Sequence, residues 1–391
     1  MPPQPLKRPC ETMNELADVE VQPVENRQQW RAFHGFPQRI YADDSAWVQP
    51  LNQTVKARWN PKRPWFEHAE VRAWVARRDG RVVGTISAQI DQRCVDPTKG
   101  RVGHFGQFEA INDSVVAKAL LDQAQRWLRQ RGCDWISGPF DLHINEMCGL
   151  LVDGFDDPPM IMMPHHPRYY AELLKSAGLA EEMALWAYRV NPDFVAPKAM
   201  TRLRARAGNR LELRPFDRSR YKQELELLRE LFNDAWQDNW RFVPFSREEF
   251  NALGQELRPI LNPDYTAIAH VDGEPAGFVI ALPNLNELTQ SFRGRLWPVN
   301  GLKLLHALTR HRLTSARVPL MGVRHRFHKT TLGALVAFSM IDQIRHPLHA
   351  NGVGNVEMSW ILETNDGMNG LIEAIGGERY KTYQMYGKGL R

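Results

Sequence analysis

A set of short signals runs through this chain twice, in the same order. Residues 71–75 alternate in polarity and lead to Asp79-Gly80, after which 82–90 resume, the pattern of a β-hairpin. Residues 268–271, Asp272-Gly273 and 275–282 repeat it, so that Asp79, Gly80 and Gly84 are matched by Asp272, Gly273 and Gly277. Arg101-Val102 with Gly106 is then matched by Arg317-Val318 with Gly322. Each is followed by a long helical pattern (115–129 and 332–344), a strand-like segment (134–136 and 355–362), a short helix (168–175 and 365–374) and a glycine-led strand ending in tyrosine (178–188 and 376–386). Repetition of a whole plan restricts the fold more than any single motif, because each copy has to build the same unit. It predicts an α/β chain of α+β type with two domains, 19–190 and 211–391, each a mixed, mostly antiparallel central sheet flanked by helices. Residues 191–210, with Pro192, Pro197 and four arginines, are the expected linker, and 1–18 an expected disordered tail.

The copies differ at the start of their long helices. In the second, 317–345 read as strand, turn and helix, and the turn 325–331 carries His325, Arg326, His328 and Lys329, two threonines and no acid. A helix start offers free N–H groups and the positive end of its dipole, so with Lys329 beside it this is a ready place for an anion. In the first copy the corresponding turn holds Glu109 and Asp113, which would repel one, while Asn112, Asp113 and Ser114 make a sound cap. The first half is therefore read as a degenerate copy and the second as the anion-binding one. The second also has an insertion, about 284–316, in which 301–314 show a helical pattern. Leu304, Leu305 and Leu308 form one stripe of it, with Lys303, His306 and Arg310 on another side. A basic amphipathic helix of this kind touches a membrane, covers a lipid chain or packs on its own domain.

The 391 residues, 43% of them hydrophobic, suffice for two ordinary cores. A formal charge of +5, from 50 basic and 45 acidic residues, fits an anionic cofactor or an acidic membrane surface but not a dedicated nucleic-acid binder. The run Arg202, Arg204, Arg206, Arg210 is read as a solvated linker face. Cys10, Cys94, Cys133 and Cys148 lack C-x-x-C spacing, which points to a reducing compartment and away from a structural zinc site. No apolar signal segment opens the chain, and the longest apolar run, 332–341, is too short to cross a bilayer. The expected location is cytoplasmic, peripheral to the inner membrane if the insertion docks there, with no nucleic-acid partner and no metal.

The turn at His328, Thr331 and Gly333 resembles motif A of the GNAT acyltransferase superfamily, where a strand runs into a glycine-containing turn and the helix start holds the pyrophosphate of acyl-CoA. Of the three, only Gly333 agrees with the superfamily pattern. Further stretches resemble the tandem-GNAT group that includes bacterial ceramide synthase. They are Ile40-Tyr41 with Asp44 and Trp47, Gly103 with Gln107 and Glu109, Gly138-Pro139 with Asn145-Glu146 and Gly149, Gly154-Phe155-Asp156, Asn233 with Trp236, Asn239 and Trp240, and Ser359-Trp360 with Glu363 and Asn365. The resemblance implies an N-acyltransferase that moves a long-chain acyl group from acyl-CoA to an amine, a sphingoid base in ceramide synthesis and thus in lipid metabolism. It implies that Met321, Gly322 and Val323 offer backbone N–H groups to the thioester carbonyl. It also implies that His328, Lys329, Thr330, Thr331 and Gly333 hold the pyrophosphate, with Asn365 bordering the cofactor.

Amide formation from a thioester needs a neutral amine, a place for the oxyanion and a proton for the departing thiolate. Among His143, Glu146, His325, Glu357 and Glu363, the loop pair Glu146 and His143 is expected to supply the base, with turn capping as the other reading of both. Where the superfamily often has a tyrosine acid this chain has Ile372, which leaves Tyr386 or Tyr383 on the last strand, with burial in the core as the other reading. Asn145, Trp236, Asn239 and Trp240 are the expected lining of an acceptor pocket between the halves, with plain packing as the other reading. Two further classes stay open: a non-catalytic acyl-CoA or lipid binder of the same fold, and a transferase that draws on aminoacyl-tRNA.

Overall fold

A computed structural model of the chain describes residues 18–310 and 312–391, so the expected tail lies almost wholly outside the described residues. The strands are β1 (Glu20–Pro23), β2 (Ala69–Arg78), β3 (Arg81–Asp91), β4 (Val95–Asp96), β5 (Gly100–Ala110), β6 (Trp135–Gly138), β7 (Leu150–Asp153), β8 (Ala180–Val190), β9 (Leu211–Arg214), β10 (Thr266–Val271), β11 (Glu274–Pro283), β12 (Ser315–Val323), β13 (Asn355–Leu362) and β14 (Glu378–Gly389). All but β4 lie in one sheet, ordered β1-β2-β3-β5-β6-β14-β8-β13-β12-β11-β10-β9, with β7 against β14 and β4 against β5.

From either edge the order follows the same plan. Three antiparallel pairings and one parallel pairing, β5 with β6, are matched on the other side by three antiparallel pairings and the parallel β12 with β13. At the middle the closing strands are exchanged: β8 pairs with β13 and β14 with β6, and the two pair with each other from Glu378↔Arg189 to Gly387↔Ala180.

The repeated residues have repeated jobs. Asp79 and Gly80 (φ 50° and 72°) and Asp272 and Gly273 (51° and 82°) make the two turns whose left-handed residues suit the twist of a tight hairpin. Gly84 and Gly277 lie under the long helices Ser114–Gln130 and Thr331–Ala350. A Cβ at Gly84 would press on Leu120, at 2.7 Å, and one at Gly277 on Met340, at 3.1 Å. Each helix buries one face on its half of the sheet, Val116, Leu120 and Leu128 against Ile86 and Ile136, and Val336, Met340 and Ile344 against Val279 and Val318. The opposite face of the second half is covered by the helices Tyr221–Trp236 and Arg247–Leu257, through Leu228, Phe232 and Phe250.

Within 191–210, Lys198–Ala207, rich in Ala and Arg after Pro197, forms a helix tied to the long one through Arg204 and Asp342 at 3.7 Å. The insertion contains the helix Val299–Thr309, but Leu305 does not share the packed stripe of Leu304 and Leu308: it faces solvent with Leu302. Among the described residues no helix is long and apolar enough to cross a membrane.

Candidate active site

β12 and β13 run together from Ser315↔Asn355 to Val318↔Met358 and then part. Pro319 sits at the departure and has no N–H with which to extend a ladder. Beyond it Pro319, Leu320 and Met321 on one side and Trp360, Ile361 and Leu362 on the other are half-buried, lining a V-shaped cleft. The Met321 carbonyl accepts from Trp236 Nε1 at 3.0 Å and the Val323 carbonyl pairs with His328 Nε2 at 2.8 Å, so neither points at β11. In a strand the N–H and C=O of one residue face the same side. Met321 and Val323 therefore turn their N–H groups to the opening, while Gly322 faces its partner Phe278 on β11.

The apex of the V is locked by charge. Arg317 and Glu357 sit opposite each other on β12 and β13, fully buried, 3.3 Å apart. Ser359 donates to Glu357 at 2.6 Å and accepts from Arg317 Nε at 2.9 Å. The guanidinium also donates to the carbonyls of Ile161 and Met162, and the Tyr380 hydroxyl donates to Glu357. Burial pulls the Arg317 pKa down and pushes those of Tyr380 and Tyr383 up.

At the mouth, Thr330 caps the long helix by accepting the Gly333 N–H at 3.0 Å, and the Thr331 and Leu332 N–H groups have no acceptor among the described residues. Lys329 is exposed beside them. The first-half helix is closed instead by a charged cap: Asp113 accepts from Val115 and Val116, at 2.8 and 3.3 Å, and pairs with Arg78 at 2.7 Å. The remaining expected anion ligands serve the turn itself. His328 is drawn back onto Val323, and a Cβ at Gly333 would collide with the Phe327 carbonyl, so this glycine lets the turn pack. The turn is acid-free only in sequence. Asp234 accepts the His325 N–H at 2.7 Å and faces Arg324 at 3.6 Å, and Asp238 pairs with His325 at 2.7 Å. Asn365 caps the helix Asp366–Ala374 by accepting from Met368, at the exposed end of β13.

The matching cleft of the first half is filled by the protein itself. β5 and β6 part after His104↔Ser137, and the loop that follows β6 takes the space. Phe140 N–H donates to Phe105 at 2.8 Å, Gln89 donates to the Phe140 carbonyl at 3.0 Å, and Gln107, at φ 46°, bonds Asp141. Any side chain at Gly106 would collide with the Phe140 carbonyl.

His143, Asn145 and Glu146 all belong to this plug. Burial works against ionising Glu146, but His143, Arg58 at 3.3 Å and Arg63 at 2.6 Å overcome it and hold the carboxyl at about 2. In this setting Glu146 ties the loop to Arg58 and Arg63. His143 stacks on Trp65 at 5.6 Å, and its Nδ1 accepts the Asn145 N–H at 3.3 Å, which turns Nε2 toward Glu146. Tyr386 lies just past a register shift in β14, between Met385 and Tyr386, and its ring is buried in the first-half core.

The segment after Trp236 joins plug to cleft. Asn145 Nδ2 donates to the Val243 carbonyl at 3.1 Å, Trp240 stacks over Phe140 at 6.4 Å, and Asn239 holds the intervening turn through its backbone. Ile144, Met183, Trp240 and Trp360 pack, half-buried, around one apolar cluster. Of the expected pocket residues Trp240 packs in this cluster, while Trp236 packs in the second-half core on Phe232; Met183 and Trp360 are the additions beside Trp240. These two come from the exchanged strand and the strand it joins, and no local pattern announces them.

Glu109 is a site the sequence misjudged. It is not at the helix start but on β5, where Tyr170 donates to one oxygen at 2.6 Å and Tyr41 lies 3.3 Å from the other. The Tyr41 hydroxyl has one proton to share between Glu109 and the His165 carbonyl, which it approaches to 3.0 Å. Burial pushes the Glu109 pKa up to about 8. Tyr41 and Tyr170 are too distant in sequence for this pairing to be foreseen.

The acetyltransferase (GNAT) family model matches residues 35–137, in the half whose cleft is plugged. The chain is 40% identical over 377 residues to bacterial ceramide synthase of Caulobacter vibrioides, covering 96% of this chain and 98% of that protein. It is 39% identical over 366 residues to protein YghO of Escherichia coli, covering 93% of each. A tandem GNAT protein from the clavulanic acid biosynthesis pathway superposes with a TM-score of 0.55 at 14% identity, covering 96% of this chain and 99% of that one, a likeness of fold.

Proposed function

We propose, from the premise that this chain belongs to the GNAT family of acyl-CoA-dependent N-acyltransferases, that it joins a long-chain acyl group to the amine of a sphingoid base. The acceptor class rests on the resemblance to bacterial ceramide synthase over nearly the whole length. What supports the second half as the working one is the asymmetry of the two strand pairs: β12 and β13 part with no such plug described between them, while residues after β6 fill the space between β5 and β6. On this reading 211–391 is the acyl-CoA domain with its insertion, 19–190 is the degenerate one, and 191–210 joins them.

The chemistry follows from the cleft. The pyrophosphate sits at the Thr331 and Leu332 N–H groups beside Lys329, where the dipole is not cancelled by an acidic cap. The pantetheine arm runs along β12 toward the opening, and the Met321 and Val323 N–H groups meet the thioester carbonyl, where negative charge develops as the amine attacks. A thiolate is a fair leaving group near neutral pH, which lessens the need for the missing tyrosine at Ile372. Trp236, Trp240 and Trp360 offer apolar surface for an alkyl chain at the junction of the halves.

Purified protein with palmitoyl-CoA and dihydrosphingosine tests this directly. Release of free thiol in step with a new amide, identified by mass, is the expected result. Thiol release unaffected by amine, or none with a panel of sphingoid and short-chain amines, overturns it.

A further inference from the structure

Of the seven large apolar side chains that stand exposed among the described residues, four fall within ten residues of the insertion: Trp297 (71% exposed), Val299 (58%), Leu302 (65%) and Leu305 (59%). Val299, Leu302 and Leu305 recur every third residue along the helix Val299–Thr309 and so share its outer face, while Ala307 is buried and Leu304 and Leu308 half-buried beneath. An apolar row of this density is not ordinary surface, and something is expected to cover it.

The surrounding charge identifies the cover. No Asp or Glu occurs between Glu287 and Asp342, and Arg293, Arg295, Lys303, Arg310 and Arg312 are all exposed around the apolar row. Glu287, the last acid before them, is engaged by the Thr314 and Ser315 N–H groups. Apolar teeth ringed by cations, with a tryptophan at one end, are built for a surface that is itself anionic and greasy. The stretch leading into the helix is anchored: Gly294 accepts the Asn52 N–H at 2.9 Å, Gln290 donates to Ser45 at 2.8 Å and Asn286 to Pro159 at 2.8 Å, all in the first half.

We infer that the helix Val299–Thr309, with Trp297 and the arginines flanking it, is a docking face for an anionic phospholipid bilayer, onto which the chain settles without crossing it. The cations draw the protein to the headgroups, and Trp297, Leu302 and Leu305 enter the interface. The inference deepens the reading of the substrate as a long-chain lipid, but its test needs no turnover.

The intact protein, without acyl-CoA, is sedimented with vesicles of equal parts phosphatidylglycerol and phosphatidylcholine, or of phosphatidylcholine alone. Strong binding to the first, weak binding to the second and release by high salt are expected. The solvent-facing variant Leu302→Gln with Leu305→Gln should lose at least tenfold in partitioning. Arg293→Gln with Arg295→Gln should lose roughly fivefold per charge removed. A thermal melt of each variant confirms that folding is intact. Equal binding by the double leucine variant, or no preference for anionic vesicles, overturns the inference. So does a wild-type dimer that the leucine variant dissociates in the absence of vesicle binding, since the face then belongs to a second copy. Failure here with amide formation intact would leave the catalytic assignment standing, and the converse holds equally.

Discussion

Lys329 and Glu109 carry the sharpest consequences at the scale of single side chains. Lys329→Glu places a negative charge at the open helix start, and the KM for acyl-CoA should rise about tenfold with kcat little changed, read from steady-state thiol release. Glu109 makes stability depend on pH. Its pKa is raised from 4.5 to about 8 in the folded chain, so the folded state holds the extra proton between those values. This contribution is complete below about 4.5, declines as pH rises through the window, and is gone above about 8. Glu109→Gln mimics the protonated acid, so its Tm should match the wild type near pH 5 and exceed it at pH 9, by on the order of a few kcal/mol in stability. A difference that did not grow with pH would mean that Glu109 is ionised in the fold. Neither Glu109 nor Glu146 was legible as to role from sequence: a carboxyl becomes a retained acid or a clasped anion according to whether tyrosines or arginines from distant segments face it.

Among the elements, the parting of β12 and β13 depends on the buried Arg317–Glu357 pair at its apex. Glu357→Gln leaves a guanidinium buried without its counter-charge, and chemical denaturation should show a loss of about 3 kcal/mol or more. The two hairpins were readable because Asp-Gly writes its turn geometry locally, and the long helices because their apolar period is regular. The cleft was half readable, since Gly322 marks the strand but the plug of its counterpart does not appear in any pattern. The acids facing the basic turn were hidden for the same reason: Asp234 and Asp238 come from the end of another helix and the turn beyond it.

Across the molecule, the repeat was legible while the exchange of its closing strands was not, because sequence order says nothing about which half receives β8 and which β14. Two independent halves would melt in two steps. Here each core includes a strand from the other half, and a single calorimetric transition is expected, with van't Hoff and calorimetric enthalpies in agreement. Two resolved transitions would count against the pairing. The same exchange sets a condition on biosynthesis. When the first half leaves the ribosome, β6 has a bare edge and β8 has no neighbour, because the strands meant for both are still untranslated. The nascent chain must keep that unfinished edge from strangers until its own later residues arrive, which makes it a client for chaperones in a way that two beads on a string would not be.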